Sequence, residues 1–377
     1  MKVCKKCVQP NTRPNIYFNE EGVCGACLYQ EETEKNIDWG KREKELKKIA
    51  EEAKEKAKEN NSNYDCVIGV SGGKDSTFQA LYARDKLGLR ALLVNGEPEG
   101  ITEIGAKNIE NLKNLGFDTI SLRPNPKIMK KLIKRDFYKY LNPVKITEYS
   151  LWASAYIMAG VFNIPLIIQG ENDCLTLGVR NKQGLGDDAL LVTEQDTLAS
   201  GWKEYVGDGV EEKDLFLFHF DSDQLREKEV RAVWLQYYAK EWSQSNNASF
   251  SISNGLTVRP PGFNPEDIGT HANYAALDSD LVQVNQMLKY IKFGFGQCVD
   301  HACYEIRDGK ITREKGLELV WRYDGKCHIR YIKKFCDYIS ITIDEFWRVV
   351  NSFRGPMWRQ DEKNEWVLKD DFVASFK

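Results

Sequence analysis

The sequence predicts an α/β protein: a doubly wound parallel sheet, preceded by a small cysteine-rich module of zinc-ribbon type and followed by a mainly helical carboxyl-terminal region. Three observations predict it. Short apolar runs at residues 64–70, 91–95 and 165–170, with a further strand-like segment at 118–122, alternate with stretches of helical periodicity, the signature of repeated strand–helix–strand units. Two C-x2-C pairs stand before these runs, and apolar residues at helical spacing follow them. With 377 residues the chain is long enough for about two or three domains.

Composition excludes several classes. With 42% hydrophobic, 11% aromatic and 29% charged residues, this is a globular chain rather than a disordered or collagen-like one. The 53 basic and 56 acidic residues leave a formal net charge of −3, so no overall positive field exists to gather nucleic acid or anionic lipid. No stretch approaches the roughly 20 apolar residues that span a bilayer, and the start, Met1-Lys2-Val3-Cys4, lacks the apolar core of a signal peptide. The expectation is a cytoplasmic protein with neither a membrane nor a nucleic-acid partner. In a reducing compartment the 10 cysteines are expected as metal ligands, reactive thiols or core residues rather than disulfides.

Cys4-Lys5-Lys6-Cys7 and Cys24-Gly25-Ala26-Cys27 are separated by 16 residues, the spacing of a four-thiolate zinc site. Each pair aims two thiolates at one point, and Gly25 eases the backbone of the second turn. Four sulfurs close a tetrahedral ion without an open position, so Cys4, Cys7, Cys24 and Cys27 are expected to hold a structural Zn2+. Between the pairs Pro10, Pro14, Asn15 and Gly22 surround one short apolar run, Ile16-Tyr17-Phe18, too little core to fold without metal. This module takes residues 1–40. Residues 41–63 are almost uniformly charged, with Leu46, Ile49, Ala50 and Ala53 at helical spacing. They predict a connecting helix with a solvated surface of Lys and Glu, ended by Asn60-Asn61-Ser62-Asn63.

Tyr64-Asp65-Cys66-Val67-Ile68-Gly69-Val70 reads as a buried strand that runs into Ser71-Gly72-Gly73-Lys74-Asp75-Ser76 and then a helix over residues 77–87. Strand, glycine turn and helix amino terminus together make an anion site: backbone N–H groups approach closely, the helix end adds partial positive charge, and Lys74 adds a full one. Asp75 follows the lysine where a Walker A loop needs Ser or Thr, and position 68 is Ile, so an ordinary γ-phosphate-cleaving NTPase is disfavoured. Helices are expected over 103–115, 126–138 and 150–161, with strands at 91–95, 118–122 and 165–170. Ligands of such sheets lie beyond the strand carboxyl ends, which brings Val70, Asn95 and Gly170-Glu171-Asn172 to one rim with the loop.

In the carboxyl-terminal third, Leu225, Val230, Val233, Trp234, Tyr237, Tyr238 and Trp242 follow helical spacing and read as a core stripe. Lys292-Phe293-Gly294-Phe295-Gly296 with Asp300-His301 reads as a flexible polar loop suited to an anionic ligand or to proton transfer. Cys298, Cys303, Cys327 and Cys336 lack metal-ligand spacing and read as ordinary thiols. Thr342-Ile343-Asp344-Glu345 reads as a capping box, making Glu345 a cap rather than a base.

Ser71-Gly72-Gly73-Lys74-Asp75-Ser76 resembles the SGGxDS loop of PP-loop ATP pyrophosphatases, enzymes that bind ATP and adenylate a substrate oxygen. The cysteine square, the charged helix, this loop, Gly170-Glu171-Asn172 and the 292–301 segment, in that order, resemble the N-acetyl sugar amidotransferases of bacterial surface-polysaccharide and pseudaminic acid pathways. The resemblance implies a PP-loop (adenine nucleotide alpha hydrolase-like) domain over residues 64–220. It makes residues 221–377 a mainly helical region that contributes to the substrate site. The implied reaction turns an acetamido group of an N-acetyl sugar, free or nucleotide-linked, into an acetamidino group. It uses ATP and Mg2+, passes through an adenylated imidate, releases AMP and pyrophosphate, and takes ammonia from a partner glutaminase.

On this reading Val70, Ser71, Gly72, Gly73, Lys74, Asp75, Ser76, Asn95 and Gly170 bind the nucleotide. Glu171, Asn172, Lys292 and Asp300 bind substrate. Lys74 and Asp75 stabilise charge and place Mg2+, and Glu171 or His301 accepts the proton of incoming ammonia. Two rivals remain. One is a PP-loop tRNA thiolase or other tRNA-modifying enzyme, against which stand the charge of −3 and the presence of only Cys66 and Cys174 in the PP-loop region. The other is a non-enzymatic ATP-binding adaptor.

Overall fold

Strands covered on both faces read as unbroken apolar runs, and that is how the three central strands of this sheet are built. In the computed structural model, which describes residues 2–376, two helices precede it, α1 (Gly25–Lys35) and α2 (Trp39–Glu59). The strands β1 (Cys66–Val70), β2 (Ala91–Gly96), β3 (Asp118–Leu122), β4 (Leu166–Gln169) and β5 (Arg231–Trp234) are mutually parallel, in the order β3-β2-β1-β4-β5. Between them run α3 (Lys74–Asp85), α4 (Glu103–Asn114), α5 (Pro126–Tyr140), α6 (Lys145–Phe162), the short α7 (Asp173–Thr176) and α8 (Ser222–Glu227). Beyond β5 the chain is helical: α9 (Leu235–Tyr238), α10 (Gln244–Ser253), α11 (Asp280–Phe293), α12 (Gln297–Arg307), α13 (Arg313–Tyr323), α14 (Ile329–Ile339) and α15 (Ile343–Ser352). A small antiparallel hairpin, β6 (Trp358–Gln360) and β7 (Trp366–Leu368), and α16 (Asp370–Ala374) complete it. Among the described residues, no helix is long and apolar enough to cross a membrane.

Alternation along the strands divides the core. Val67, Leu92, Val94 and Ile167 point into one layer with Phe137 of α5 and Tyr156 of α6. Cys66, Ile68, Val70, Leu93 and Ile168 point into the other, with Phe78 and Leu81 of α3 and with Leu46, Ile49 and Ala53 of α2. Each such aliphatic side chain contributes about 1.5–3 kcal/mol by leaving water. The charged helix α2 is thus more than a connector: its apolar stripe covers one face of the sheet, while pairs such as Glu43–Lys47 (2.6 Å) lie on its wet side.

Two expectations fail. Residues 292–301, read as a flexible polar loop, are mostly helical, since α11 runs to Phe293 and α12 begins at Gln297. The apolar residues over 223–242 form no single helix; α8, β5 and α9 divide them. Pairing along β4, from Leu166↔Arg231 to Gln169↔Trp234, satisfies the backbone groups of an otherwise open edge, and this tertiary gain overrides the local periodicity. Val230, Val233, Trp234 and Tyr238 are buried as expected, but the sheet takes its last strand from beyond residue 220.

The cysteine module is docked rather than tethered. Tyr17 N–H donates to the Gly178 carbonyl (3.1 Å) and Arg180 N–H to that of Asn15 (2.9 Å), and its apolar residues share a core with Phe295, Val299 and Ala302 around α12. Gly25 is required here for close approach, not for turn strain: a Cβ on it would lie 2.7 Å from the Gly178 carbonyl oxygen. Thr342 caps α15, accepting from Glu345 N–H at 3.1 Å, but the expected capping box does not close, because the Glu345 carboxylate accepts from the Tyr138 hydroxyl instead.

Candidate active site

Strand order reverses between β1 and β4, so the switch point of the sheet lies at their carboxyl ends, where open α/β sheets bind ligands. The glycine loop follows β1. Gly72 has φ of +76°, and a Cβ there would come within 3.2 Å of Asn108 Cβ and the Ile109 nitrogen, so only glycine keeps the loop this close to α4. Gly73 begins α3 with no side chain capping it, which leaves the first N–H groups of a 12-residue helix for an anion. The Ser76 and Thr77 hydroxyls turn inward and donate to the Gly73 carbonyl (3.1 and 3.0 Å). Lys74 pairs with Asp75. Asn95, next to the last residue of β2, stands beside Val70 in register.

Across the cleft, Gly170 follows β4, and a Cβ on it would stand 2.6 Å from Gln79 Nε2. Glu171 comes next. Burial first, and the Asp75 carboxylate second, push it up to about 7 against the pull of Lys74 and the Thr176 hydroxyl. The acidic groups are held from α10, a helix that sequence reasoning left unassigned. Gln244 Nε2 donates to Glu171 Oε2 (2.8 Å), Asn247 Nδ2 to Asp75 Oδ1 (2.8 Å) and Ser251 Oγ to the Lys74 carbonyl (2.6 Å). These three side chains are buried and stand at i, i+3 and i+7, one helical face. That polar stripe was the available signal.

Two cavities meet at Glu171. A cleft of about 130 Å3 lies between Ser71, Asp75 and Ser76 of the loop and Gly170-Glu171. A larger cavity of about 690 Å3 adjoins it, and Leu151, Trp152 and Glu171 line both. Three buried acceptors near the loop, Gln79 Oε1, Asn95 Oδ1 and Asn247 Oδ1, have no protein partner, nor do Asn142 Oδ1, Gln195 Nε2, Trp234 Nε1 and Gln286 Oε1 around the larger cavity. Buried polar atoms are rarely left unpaired, so the larger cavity, and the cleft through Gln79, fit ligands rich in donors and acceptors; Asn95 and Asn247 line neither. Arg13 and Pro14 of the cysteine module also line the larger cavity, as does Lys292.

Several expected residues are used otherwise. Asn172 is wholly buried; its Nδ2 donates to the Gly184 carbonyl (3.0 Å) and its Oδ1 accepts from Cys174 N–H (2.9 Å), so it shapes the loop after β4 instead of meeting substrate. Asp300 is locked between Arg13 and Lys289; burial would raise it, but the two cations hold it below its ordinary range. His301 lines neither cavity. Its Nδ1 bonds Thr270 Oγ1 at 2.7 Å, and burial, reinforced by His271, lowers it to about 3, too weak a base to take a proton from ammonia.

The four cysteines suit zinc. Tetrahedral Zn2+ with Zn–S of about 2.3 Å sets sulfurs roughly 3.8 Å apart; Cys7 and Cys24 Sγ are 3.6 Å apart and Cys4 and Cys27 Sγ 3.9 Å, with all four within 4.8 Å. Backbone N–H groups of Lys6 and Cys24 point at Cys4 Sγ (3.4 and 3.3 Å), as thiolate ligands require. Among the described residues this is the one such cluster.

Residues 268–371 match the family model "LPS biosynthesis protein WbpG-like, C-terminal domain". No curated protein matches the chain. Among solved structures it is similar to the NMN synthetase of Francisella tularensis, at 16% identity over 60% of this chain and 100% of that one, with a TM-score of 0.29.

Proposed function

We propose that this chain is an ATP-dependent amidotransferase of lipopolysaccharide biosynthesis that converts an acetamido group of a sugar into an acetamidino group, releasing AMP and pyrophosphate. The observation that carries the reading is the meeting at Glu171 of a phosphate-type loop and a separate, larger cavity with unpaired polar atoms and aromatic walls. Two ligands with adjoining ends suit a transfer between them. The match of residues 268–371, which include α11 and Lys292 on the wall of that cavity, supports the link to LPS.

ATP would lie with its phosphates on the N–H groups of Gly72 to Ser76 and its α-phosphorus toward the shared wall. The acetamide oxygen attacks that phosphorus and pyrophosphate leaves, with Lys74 balancing the charge that accumulates. Asp75, with the phosphate oxygens, would hold Mg2+, which supplies charge neutralisation. Ammonia from a glutaminase partner then adds to the imidate carbon, AMP departs with the former amide oxygen, and Glu171 accepts a proton from the added nitrogen. A carboxylate near 7 is matched to that task. Cys4, Cys7, Cys24 and Cys27 would hold Zn2+, which supplies folding energy to the module that carries Arg13.

Purified protein given ATP, Mg2+ and ammonium, with acetamido sugars in turn, tests this. The expected result is sugar-stimulated release of AMP and pyrophosphate, with a product that has exchanged oxygen for NH. Release of ADP and orthophosphate, or stimulation by tRNA alone, would overturn it.

A further inference from the structure

Three reactants must reach the neighbourhood of one carboxylate. With the nucleotide in the cleft and the sugar in the 690 Å3 cavity, both openings at Glu171 are filled, and ammonia needs a third.

One lies behind Glu171. A cavity of about 180 Å3 stands between α1 of the cysteine module, the residues that follow β5 and the end of α12. Gln244, Thr176 and Tyr304 form its inner end. Gln244 Nε2 donates to Glu171 Oε2 at 2.8 Å, so one side chain separates the cavity from the carboxylate. The other two feel the same charge. Against burial, which raises Glu171, the Thr176 hydroxyl pulls it down, and burial, followed by the Asp300 and Glu171 carboxylates, raises the Tyr304 phenol. At the outer end Gln30, Thr33 and Trp39 are partly exposed and Lys240 is exposed, so the cavity opens at the surface.

Its lining suits a small guest that both donates and accepts hydrogen bonds. The Tyr29 hydroxyl and Asp308 Oδ2 are buried there without a protein partner, a rare condition for buried polar atoms. Amide and hydroxyl groups of Gln30, Thr33, Gln236 and Ser243 continue the wall, and each can serve in either sense. At about 180 Å3 against 690 Å3 the space fits a far smaller molecule than the sugar.

We infer that this cavity is the entrance for ammonia, which passes from the α1 face to the imidate carbon by way of Gln244 and arrives on the side of Glu171 that neither sugar nor nucleotide covers. The inference rests on the amidotransferase reading and adds the route of its third reactant. It gives the cysteine module a second task, because α1 walls the passage, and it sets the surface around Gln30, Thr33 and Lys240 as the place from which a supplier delivers.

Two reactions of the full chain separate arrival of ammonia from the chemistry before it. Exchange of labelled pyrophosphate into ATP, driven by the acetamido sugar that stimulates turnover, reports adenylation and needs no ammonia; product formation from ammonium chloride reports both. Thr33→Trp or Gln30→Trp, filling the passage from α1, should leave exchange at the parent level and lower kcat/KM for ammonia about 10-fold or more, with KM for ATP and sugar unmoved. Thr33→Ser should match the parent. In the unmodified enzyme, sugar raised far above its own KM should leave the KM for ammonia unchanged, and this titration decides alone if the filled variants lose exchange through misfolding. An ammonia KM that climbs with sugar, or filled variants that use ammonia as the parent does, overturns the inference while sugar-driven exchange still upholds the reading beneath it. Absence of that exchange in the parent overturns both.

Discussion

Replacing Glu171 with Gln should stabilise the protein and stop its chemistry, with a pH signature that links the two. The glutamate is raised from 4.5 to about 7, first by burial and then by Asp75. The folded state therefore holds this proton more tightly than the unfolded chain does, and stability falls as pH rises from 4.5 to about 7 and stays reduced above that. Since each tenfold gain in proton affinity on folding corresponds to about 1.36 kcal/mol, the ionised carboxylate costs at most about 3 kcal/mol, less whatever solvation the cavity provides. Glu171→Gln removes that cost and keeps an oxygen to accept from Gln244. Urea unfolding of both proteins at about pH 5 and about pH 8 should give a gain for the variant that is small at the lower pH and approaches about 2–3 kcal/mol at the higher. Other raised carboxyls, Glu148 and Asp324 among them, titrate in both proteins and cancel in the difference. Turnover by the unmodified enzyme should rise with pH through about 7, where Glu171 becomes a base, and fall roughly 100-fold or more in the variant. A stability difference that does not change with pH would refute the assignment of the raised group, and undiminished turnover would refute its role.

Other outcomes follow from the same geometry. Gly72→Ala puts a Cβ at φ +76° against Ile109; it should cost about 1–2 kcal/mol in unfolding measurements and abolish the rise in melting temperature that ATP produces in the parent. Asn247→Ala leaves Asp75 Oδ1 without its partner on α10, so stability should drop by about 1–3 kcal/mol and the Mg2+ concentration for half-maximal activity should increase; an unchanged Mg2+ dependence would show that α10 does not position Asp75. Metal analysis should find a single zinc per chain that is lost in Cys7→Ser, and limited proteolysis should then cut within residues 1–40, since the module's small core cannot fold alone. Arg13→Ala should take from Asp300 one of its two cations, leaving the pair with Lys289, and weaken sugar binding while leaving zinc content intact; a loss of zinc would mean that Arg13 supports the module rather than the cavity.

The amino-acid sequence alone determined the features whose causes are local. Three of the five sheet strands are apolar runs bounded by turns and a fourth is a short strand-like segment, the glycine loop needs its φ-permissive residue at 72, and the cysteine square follows a spacing rule of tetrahedral coordination. Such causes act within a few residues, so they can be read along the chain. What only the tertiary structure decided is the fate of polar side chains and of the last strand. Asp300 meets Arg13 from 287 positions away and is consumed, Asn172 is spent on the loop it supports, His301 is buried into weak basicity, and α10 holds Asp75 and Glu171 from a helix with no motif. Segment 231–234 became a strand because β4 offered an open edge. A buried charge or amide is governed by whatever stands opposite it and by how much water is excluded, and neither quantity is a function of sequence separation.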